Sequence, residues 1–139
     1  MKILTVLCQK GGVGKTTFVV NLGKLLSHKG YKTLLIDTDP QGNVSTYLNF
    51  DKNSKAVLSA TDLFENRLDK EITKVSENLY LIPSNKSIIK HSSEKIIGGS
   101  KLFKHKNFLI EKGFDLVLID TPPTISSLTP VSYTHLTLP

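Results

Sequence analysis

The chain alternates short apolar runs with polar stretches, and four of these runs have the length of buried strands. Each is almost continuously apolar, a pattern typical of parallel strands that are covered on both faces of a sheet. The four strands are predicted at residues 2–8, 32–37, 79–83 and 114–119.

Helical patterns fall between the predicted strands. We expect the first helix to end at Gly30 and the third at Gly113, because glycine suits the position that follows a helix C-terminus. Thr61 or a close neighbour is expected to cap the second helix. The polar residues 51–59 and 84–99 are predicted to be loops. The helices themselves are predicted at residues 15–29, 60–67 and 100–112.

The alternation of strands and helices predicts the fold class. Parallel strands joined through helices require right-handed crossovers, which place helices on both faces of the sheet. We therefore predict a doubly wound, mostly parallel α/β sheet. The sequence shows no internal repeats and no convincing linkers, so one domain is expected over residues 1–129.

A glycine-rich loop lies between the first predicted strand and the first predicted helix. Residues 9–17 read Gln-Lys-Gly-Gly-Val-Gly-Lys-Thr-Thr, and the order strand, loop, helix is the context that a phosphate-binding loop requires. Gly11, Gly12 and Gly14 allow the backbone to turn tightly, so that successive N–H groups can face one anion. Lys15 can then reach the β- and γ-phosphates of a nucleotide. The loop predicts a nucleoside triphosphate site.

The same segment offers a metal ligand and one unusual lysine. The Thr16 hydroxyl can bind Mg²⁺ at the helix N-terminus, where the helix dipole also favours negative charge. The loop departs from the standard pattern G-x-x-x-x-G-K-[ST], because Gln9 takes the place of the first glycine and Lys10 adds a second lysine. The segment therefore indicates a P-loop NTPase with an atypical loop.

Aspartates at two strand ends can complete this site. Phosphoryl transfer needs acidic partners for Mg²⁺ and for the attacking water, and ligands bind at the carboxyl ends of strands in open α/β sheets. Asp37 and Asp39 follow the second strand and should share one side of it, because side chains alternate with period two. Asp120 follows the apolar residues 116–119 and has the form of a Walker B aspartate.

Composition narrows the class of protein. The net charge of +6 comes from seventeen lysines and a single arginine, Arg67. Such a surface can attract DNA or anionic lipid, although charge alone does not demonstrate either. No apolar run approaches the roughly 20 residues of a membrane span, and no signal peptide is visible. The single cysteine, Cys8, excludes an internal disulfide framework and fits a reducing cytoplasm.

Four segments resemble those of a known family. Residues 10–17, with their leading lysine, look like the deviant Walker A signature of ParA/MinD-type ATPases. Residues 36–43, Ile-Asp-Thr-Asp-Pro-Gln-Gly-Asn, are similar to the Asp-x-Asp-Pro-Gln-Gly-Asn run of the ParA/Soj branch. Residues 120–123 resemble its Walker B motif, and residues 81–85 resemble a strand end of the family. The resemblance is to the N-terminal part of a ParA/Soj-type partition ATPase and covers nearly all of residues 1–129.

The resemblance implies roles for the matching residues. Thr16 would bind Mg²⁺, Asp120 would hold the ion through water, and Asp37 would lie nearby. Asp39 would orient or activate the hydrolytic water. Lys10 would cross a dimer interface and contact the phosphates of the ATP in the partner subunit. The residues that would hold the phosphates of ATP are Gly11, Gly12, Val13, Gly14, Lys15, Thr16 and Thr17.

The resemblance also implies partners and a location. ATP would drive formation of a homodimer, and hydrolysis would release it. The switch would act with a ParB-like activator and nonspecific DNA, in the cytoplasm and associated with the nucleoid rather than with a membrane. A cation from Lys10 would suit phosphoryl transfer, since Arg67 lies in a separate, polar predicted helix.

Two alternatives remain open. A MinD-like membrane-positioning ATPase shares the loop, although the Asp-Pro-Gln-Gly-Asn run disfavours it. An amide-forming biosynthetic relative uses the same loop and cannot be distinguished without its substrate domain. The iron-protein branch needs cluster-ligating cysteines, which Cys8 alone does not supply.

The end of the sequence departs from the resemblance. Members of this branch are considerably longer than 139 residues, and their DNA-binding patch lies largely in the later part. Residues 130–139, Pro-Val-Ser-Tyr-Thr-His-Leu-Thr-Leu-Pro, lack the apolar helix and strand expected there. We interpret the chain as C-terminally truncated with a non-native or divergent tail. We expect little ATPase activity from it in isolation, even if it holds nucleotide.

Overall fold

One five-stranded sheet organises the part of the chain that the computed structural model describes, namely residues 1–6, 14–51, 56–91, 102 and 104–122. The spatial order of the strands is β1-β5-β2-β4-β3, and every neighbouring pair is parallel except β3 with β4. The predicted mostly parallel sheet is confirmed. The strands are β1 (Lys2–Val6), β2 (Thr33–Asp37), β3 (Thr73–Ser76), β4 (Leu79–Ile82) and β5 (Leu116–Asp120).

Helices with described bounds connect these strands. None of the helices in this part of the chain has the length and apolar composition needed to cross a membrane. The longest, α1, packs against β2, β4 and β5. The helices are α1 (Lys15–His28), α2 (Asn43–Tyr47), α3 (Ala60–Phe64), a 3₁₀ helix (Lys86–His91) and α4 (Lys106–Glu111).

Apolar side chains cover both faces of the sheet. Leu35 of β2 belongs to a buried cluster that includes Val19 and Val20 of α1 and Val44 of α2. Its neighbour Leu34 points to the opposite face, because successive strand side chains alternate. The cluster on that face joins the sheet to α3, the 3₁₀ helix and α4 through Leu34, Ile36, Leu63, Ile88, Leu109 and Ile119. Helical layers on both faces confirm the doubly wound architecture.

The approach of α1 to the sheet depends on one glycine. A Cβ atom placed on Gly23 would lie 2.7 Å from Leu35 Cδ2, and Leu35 is fully buried. Side-chain carbons do not tolerate that separation in a close-packed interior. The absence of a side chain at Gly23 therefore allows α1 to lie directly over β2.

Two helices end at the predicted glycines. Gly30 has φ +94°, and its amide donates to the Ser27 carbonyl while the Tyr31 amide donates to the Leu26 carbonyl. This pair of hydrogen bonds is the Schellman motif, which favours glycine. Gly113 follows α4 with φ +83°. Both predicted helix ends are confirmed.

The predicted second helix needs correction. Its cap is Ser59, a close neighbour of Thr61, because the Ser59 side chain accepts a hydrogen bond from the Asp62 amide and the Asp62 carboxylate accepts one from the Ser59 amide. This reciprocal pair is a capping box. The helix ends at Phe64 instead of residue 67, so Arg67 follows the helix rather than belonging to it.

Three short elements were not predicted. The strand β3 alternates half-buried with exposed side chains and is too polar to match a continuous apolar run. The 3₁₀ helix occupies part of the predicted loop 84–99, and α2 follows the acidic end of β2. Several other predictions fall outside the described residues, namely Cys8, parts of the loops and of the third helix, and the tail at residues 130–139.

Candidate functional site

The carboxyl ends of β1, β5 and β2 lie side by side. In the parallel ladder, Asp120 is level with Val6 on one side and with Asp37 on the other. Both aspartates have no exposed surface. The sheet thus places two carboxylates from distant parts of the sequence at its carboxyl edge, where ligands bind in this architecture.

The first turn of α1 begins next to Asp120. Gly14 precedes the helix with φ +77°, a conformation that glycine adopts without steric cost. The Thr16 hydroxyl donates to Asp120 Oδ2 at 2.9 Å, and Lys15 Nζ lies 2.7 Å from Asp120 Oδ1. Three of the residues predicted to bind phosphate and metal are therefore in contact.

Lys15 and Asp120 form a buried ion pair. Lys15 Nζ and Asp120 Oδ1 are both buried, and within the described part of the chain neither has a partner beyond this ion pair. Buried polar atoms are normally satisfied in folded proteins, and an ammonium group can donate three hydrogen bonds. Free donors on Lys15 fit phosphate oxygens. The carboxylate and hydroxyl oxygens of Asp120 and Thr16 are the hard ligands that Mg²⁺ prefers.

Backbone amides hold the carboxylate of Asp37, and its pKa is raised. Its Oδ1 accepts a hydrogen bond from the Asp39 amide at 2.9 Å, and its Oδ2 accepts one from the Val44 amide at 3.2 Å. Burial raises the pKa of Asp37, the negative charges of Asp120 and Asp39 raise it further, and the two amides lower it, with the result that the pKa lies at about 8. A divalent cation beside these carboxylates would relieve their repulsion.

The raised pKa of Asp37 predicts how stability depends on pH. An Asp with an unfolded-state pKa near 3.8 and a folded-state pKa of about 8 binds more protons in the folded state between those two values. The free energy of unfolding should therefore fall as pH rises from about 4 to 8, by about 1.4 kcal/mol for each unit of pKa difference at most. Urea unfolding in EDTA at pH 5, 6.5 and 8 measures this slope.

Asp37→Asn is the matched comparison for that measurement. The asparagine has the same shape and does not titrate, so the fall in stability between pH 5 and pH 8 should become smaller by several kcal/mol. All other residues are the same in the two proteins, so their contribution cancels in the difference. Equal slopes in the two proteins would show that Asp37 does not carry a raised pKa.

Asp39 lies at the start of a tight turn beyond β2. Its Oδ1 accepts a hydrogen bond from the Gln41 amide at 2.9 Å, and its carbonyl accepts one from the Gly42 amide. Gly42 has φ +65° and leads directly into α2. Asp39 is nearly buried, with 6% of its surface exposed, and its charge acts on Asp37. The turn therefore keeps Asp39 close to Asp37.

Two threonines in the site were missed from the sequence. The Thr38 hydroxyl donates to the Asp120 carbonyl at 2.8 Å, and the Thr121 hydroxyl donates to the Val6 carbonyl at 2.8 Å. Each follows an aspartate at a strand end and ties its strand to the neighbouring strand. The repeated Asp-Thr pair at positions 37–38 and 120–121 was the signal that could have revealed them.

Arg67, the single arginine, forms its ion pairs outside the candidate site. Arg67 donates from Nε and Nη2 to Asp62 Oδ1 at 3.1 and 2.8 Å, and it also pairs with Glu65. Burial raises the pKa of Asp62, but hydrogen bonds from Ser59, Arg67 and Lys70 outweigh that effect and lower it overall. Arg67 stabilises the end of α3 and is not part of the aspartate cluster.

The remaining predicted site residues divide into two groups. Thr17 lies in the first turn of α1, and its hydroxyl makes a hydrogen bond with the Tyr47 hydroxyl. The front of the loop lies outside the described residues, so the roles of its residues stay predictions. These residues are Gln9, Lys10, Gly11, Gly12 and Val13.

The molecule has a P-loop NTPase-like α/β fold. This fold is defined by the sheet order, the helix that starts at Lys15 and the aspartates at the carboxyl edge. A profile of the AAA domain family matches residues 1–135, and the chain belongs to that family. The resemblance to ParA/Soj-type ATPases that the sequence predicted is confirmed at this level by the relatives below.

Relatives and solved structures agree with this family. The sporulation initiation inhibitor protein Soj of Bacillus subtilis is 35% identical over 132 residues, which cover 92% of this chain and 52% of Soj. A Cyanothece McdA variant solved in complex with ATP has a TM-score of 0.76 and 31% identity, covering 93% of this chain and 52% of McdA. The chain spans about half the length of the curated relatives it matches.

The solved structure of a diamide synthase is also similar to this chain. The cobyrinic acid a,c-diamide synthase of Mycobacterium smegmatis, solved with an ATP analog and magnesium, has a TM-score of 0.76 and 29% identity. The match covers 97% of this chain and 57% of the synthase. Solved structures with this fold therefore include both McdA and a diamide synthase.

Proposed function

We propose that this chain carries the ATP- and Mg²⁺-binding site of a ParA/Soj-type switch for chromosome or plasmid partition. The observation that carries the proposal is the convergence of Lys15, Thr16, Asp120 and Asp37 at the carboxyl edge, where Lys15 and Asp120 form a buried ion pair. The identity to Soj and the likeness to an ATP complex of McdA support it.

The described residues suit the binding of a nucleotide. Lys15 Nζ would donate to phosphate oxygens, because its ammonium group is held at the site and has no partner but Asp120 among the described residues. Thr16 and Asp120 would hold Mg²⁺, with Asp37 beside them. Bound Mg²⁺ neutralises the charge that develops on the phosphates. The backbone amides of the first turn of α1 add positive potential at the same place.

Hydrolysis of ATP to ADP and phosphate requires an oriented water and a cation on the transferred group. Asp39 would accept a hydrogen bond from the attacking water and take up its proton, since it lies at the rim of the carboxylate cluster. Lys10 of a second copy would supply the cation. Arg67 is occupied by Asp62 and Glu65, which leaves lysine to do this work.

A nucleotide-controlled dimer follows from a site that needs a residue from its partner. ATP would favour the dimer and hydrolysis would favour separate subunits, a population shift driven by differential binding. A ParB-like activator and nonspecific DNA would act on the dimer. The net charge of +6 supports an electrostatic attraction to DNA.

Sedimentation of the Lys10→Ala variant tests this proposal. With a nonhydrolysable ATP analog and Mg²⁺, the wild-type protein should form dimers, whereas Lys10→Ala should bind the analog but remain monomeric. Lys24→Ala is the matched control, because Lys24 is an exposed lysine on α1 that should not affect the dimer. A Lys10→Ala protein that dimerises and hydrolyses ATP like the wild type would refute the role of Lys10.

ATP-dependent amide formation is the second candidate, and the likeness to the cobyrinic acid synthase favours it. The two functions can be distinguished by the compounds that stimulate ATP turnover. ATP turnover that rises with DNA and a ParB-like protein supports partition. Turnover that depends on glutamine or ammonia together with a carboxylic acid supports amide formation instead.

A further inference from the structure

The short helix α2 joins the carboxylate cluster to the first turn of α1. At its start, the Val44 amide donates to Asp37 Oδ2, and Gly42 donates to the Asp39 carbonyl. At its end, the Tyr47 hydroxyl makes a hydrogen bond with the Thr17 hydroxyl. The segment from Asp37 to Tyr47 is therefore attached at both ends to residues of the candidate nucleotide site.

Burial of the Tyr47 side chain does not explain its contact with Thr17. The Tyr47 side chain is 53% exposed, so its ring is not fixed by the core and its hydroxyl could be hydrated instead. The partner, Thr17, follows Thr16, whose hydroxyl donates to Asp120. A hydrogen bond between two hydroxyl groups thus fastens an otherwise exposed side chain to the helix that follows the phosphate loop.

We propose that Tyr47 is a positioning residue, whose hydroxyl anchors α2 to Thr17 and so holds the turn that carries Asp39 in place. This inference rests on the proposed ATPase function. Asp39 is connected to α2 through Gly42, and Thr46 closes the first turn of α2 by donating to the Gly42 carbonyl. Loss of the Tyr47 anchor would allow α2 and the turn to move together, away from the geometry that orients water.

Tyr47→Phe removes only the hydroxyl and keeps the ring. A neutral hydrogen bond changes an equilibrium by about two- to tenfold, so the exchange rates of the Gly42 and Val44 amides with deuterium should rise by about that factor in nucleotide-free protein. The kcat for ATP should fall by a similar factor, while the KM changes by less than about twofold, because Asp39 acts on the reaction rather than on binding. Turnover is measured on the product of the whole gene.

Tyr31→Phe is the matched control. Tyr31 is also a half-exposed tyrosine, with 46% of its surface exposed, and lies beyond the opposite end of α1. Its hydroxyl is not part of the site, so the exchange of the two amides and the kcat should match those of the wild type. Thr17 supplies the second test, because Thr17→Ser keeps a hydroxyl and should preserve the anchor, whereas Thr17→Val should remove it.

The double variant Tyr47→Phe/Thr17→Val decides whether the two hydroxyls act together. If they form one anchor, Tyr47→Phe should add no further increase in amide exchange once Thr17 is valine. The inference is overturned if Tyr47→Phe exchanges like Tyr31→Phe, or if its effect persists fully in the Thr17→Val protein. If the wild type binds no ATP, the proposed function fails, and the exchange of the nucleotide-free protein still decides the anchor.

Discussion

Asp39→Asn should reduce ATP turnover by about 10²- to 10⁴-fold, the usual contribution of a positioned general base, with little change in ATP affinity. The substitution keeps Oδ1, which accepts a hydrogen bond from the Gln41 amide, so the turn should persist. It removes the negative charge that would orient water and receive its proton. Phosphate release by the product of the whole gene at saturating ATP, with affinity measured separately, distinguishes the two effects.

Asp69→Asn is the control for that experiment, because Asp69 is an exposed aspartate outside the carboxylate cluster. It should leave both turnover and affinity unchanged. An Asp39→Asn protein that turns over ATP within about threefold of the control would remove Asp39 from the reaction. Loss of affinity and turnover by the same factor would assign Asp39 to binding instead.

Lys15→Gln should weaken ATP binding by at least about 100-fold. Hydrogen bonds to charged groups contribute roughly 1.5–3 kcal/mol each, and the Lys15 ammonium group has more than one donor for the phosphates. The same change leaves Asp120 buried without its cation, beside the carboxylate of Asp37. The free energy of unfolding should therefore fall by about 3 kcal/mol in the absence of nucleotide. Calorimetric titration and urea unfolding measure these two quantities.

A double variant separates the two consequences. Lys15→Gln/Asp120→Asn lacks both charges of the pair, so it should recover most of the stability that Lys15→Gln loses. It should not recover ATP affinity, because the ammonium group and a metal ligand are both absent. Lys24→Gln controls for the loss of a lysine from α1. Restored affinity in the double variant would show that Lys15 serves only to neutralise Asp120.

The apolar runs predicted the central sheet because buried parallel strands have no polar face. β2 and β5 are fully or nearly buried along their length. Their sequences, Thr-Leu-Leu-Ile-Asp and Leu-Val-Leu-Ile-Asp, are typical of buried strands. The elements that were missed lack such a signal. The strand β3 has only four residues and alternating exposure, and its place in the sheet depends on antiparallel pairing with β4.

The aspartates could be predicted for a similar reason. Parallel strands all end at the same edge of a sheet, and Asp37 and Asp120 each follow an apolar run. The two aspartates are therefore adjacent if β2 and β5 are neighbouring strands. The contact between Thr17 and Tyr47 could not be predicted. The two residues are 30 positions apart, belong to different helices and form no sequence motif with each other. Only the packing of α2 against α1 brings them together.

The most direct measurement for the central claim is calorimetric titration of the chain with ATP, once in Mg²⁺ and once in EDTA. A site built from Lys15, Thr16 and Asp120 predicts saturable binding of one ATP per chain, tighter in Mg²⁺ than in EDTA, and lost in Lys15→Gln. Binding that is absent, or that is equal in Mg²⁺, in EDTA and in the Lys15→Gln protein, would contradict the assignment of this edge of the sheet as an ATP site.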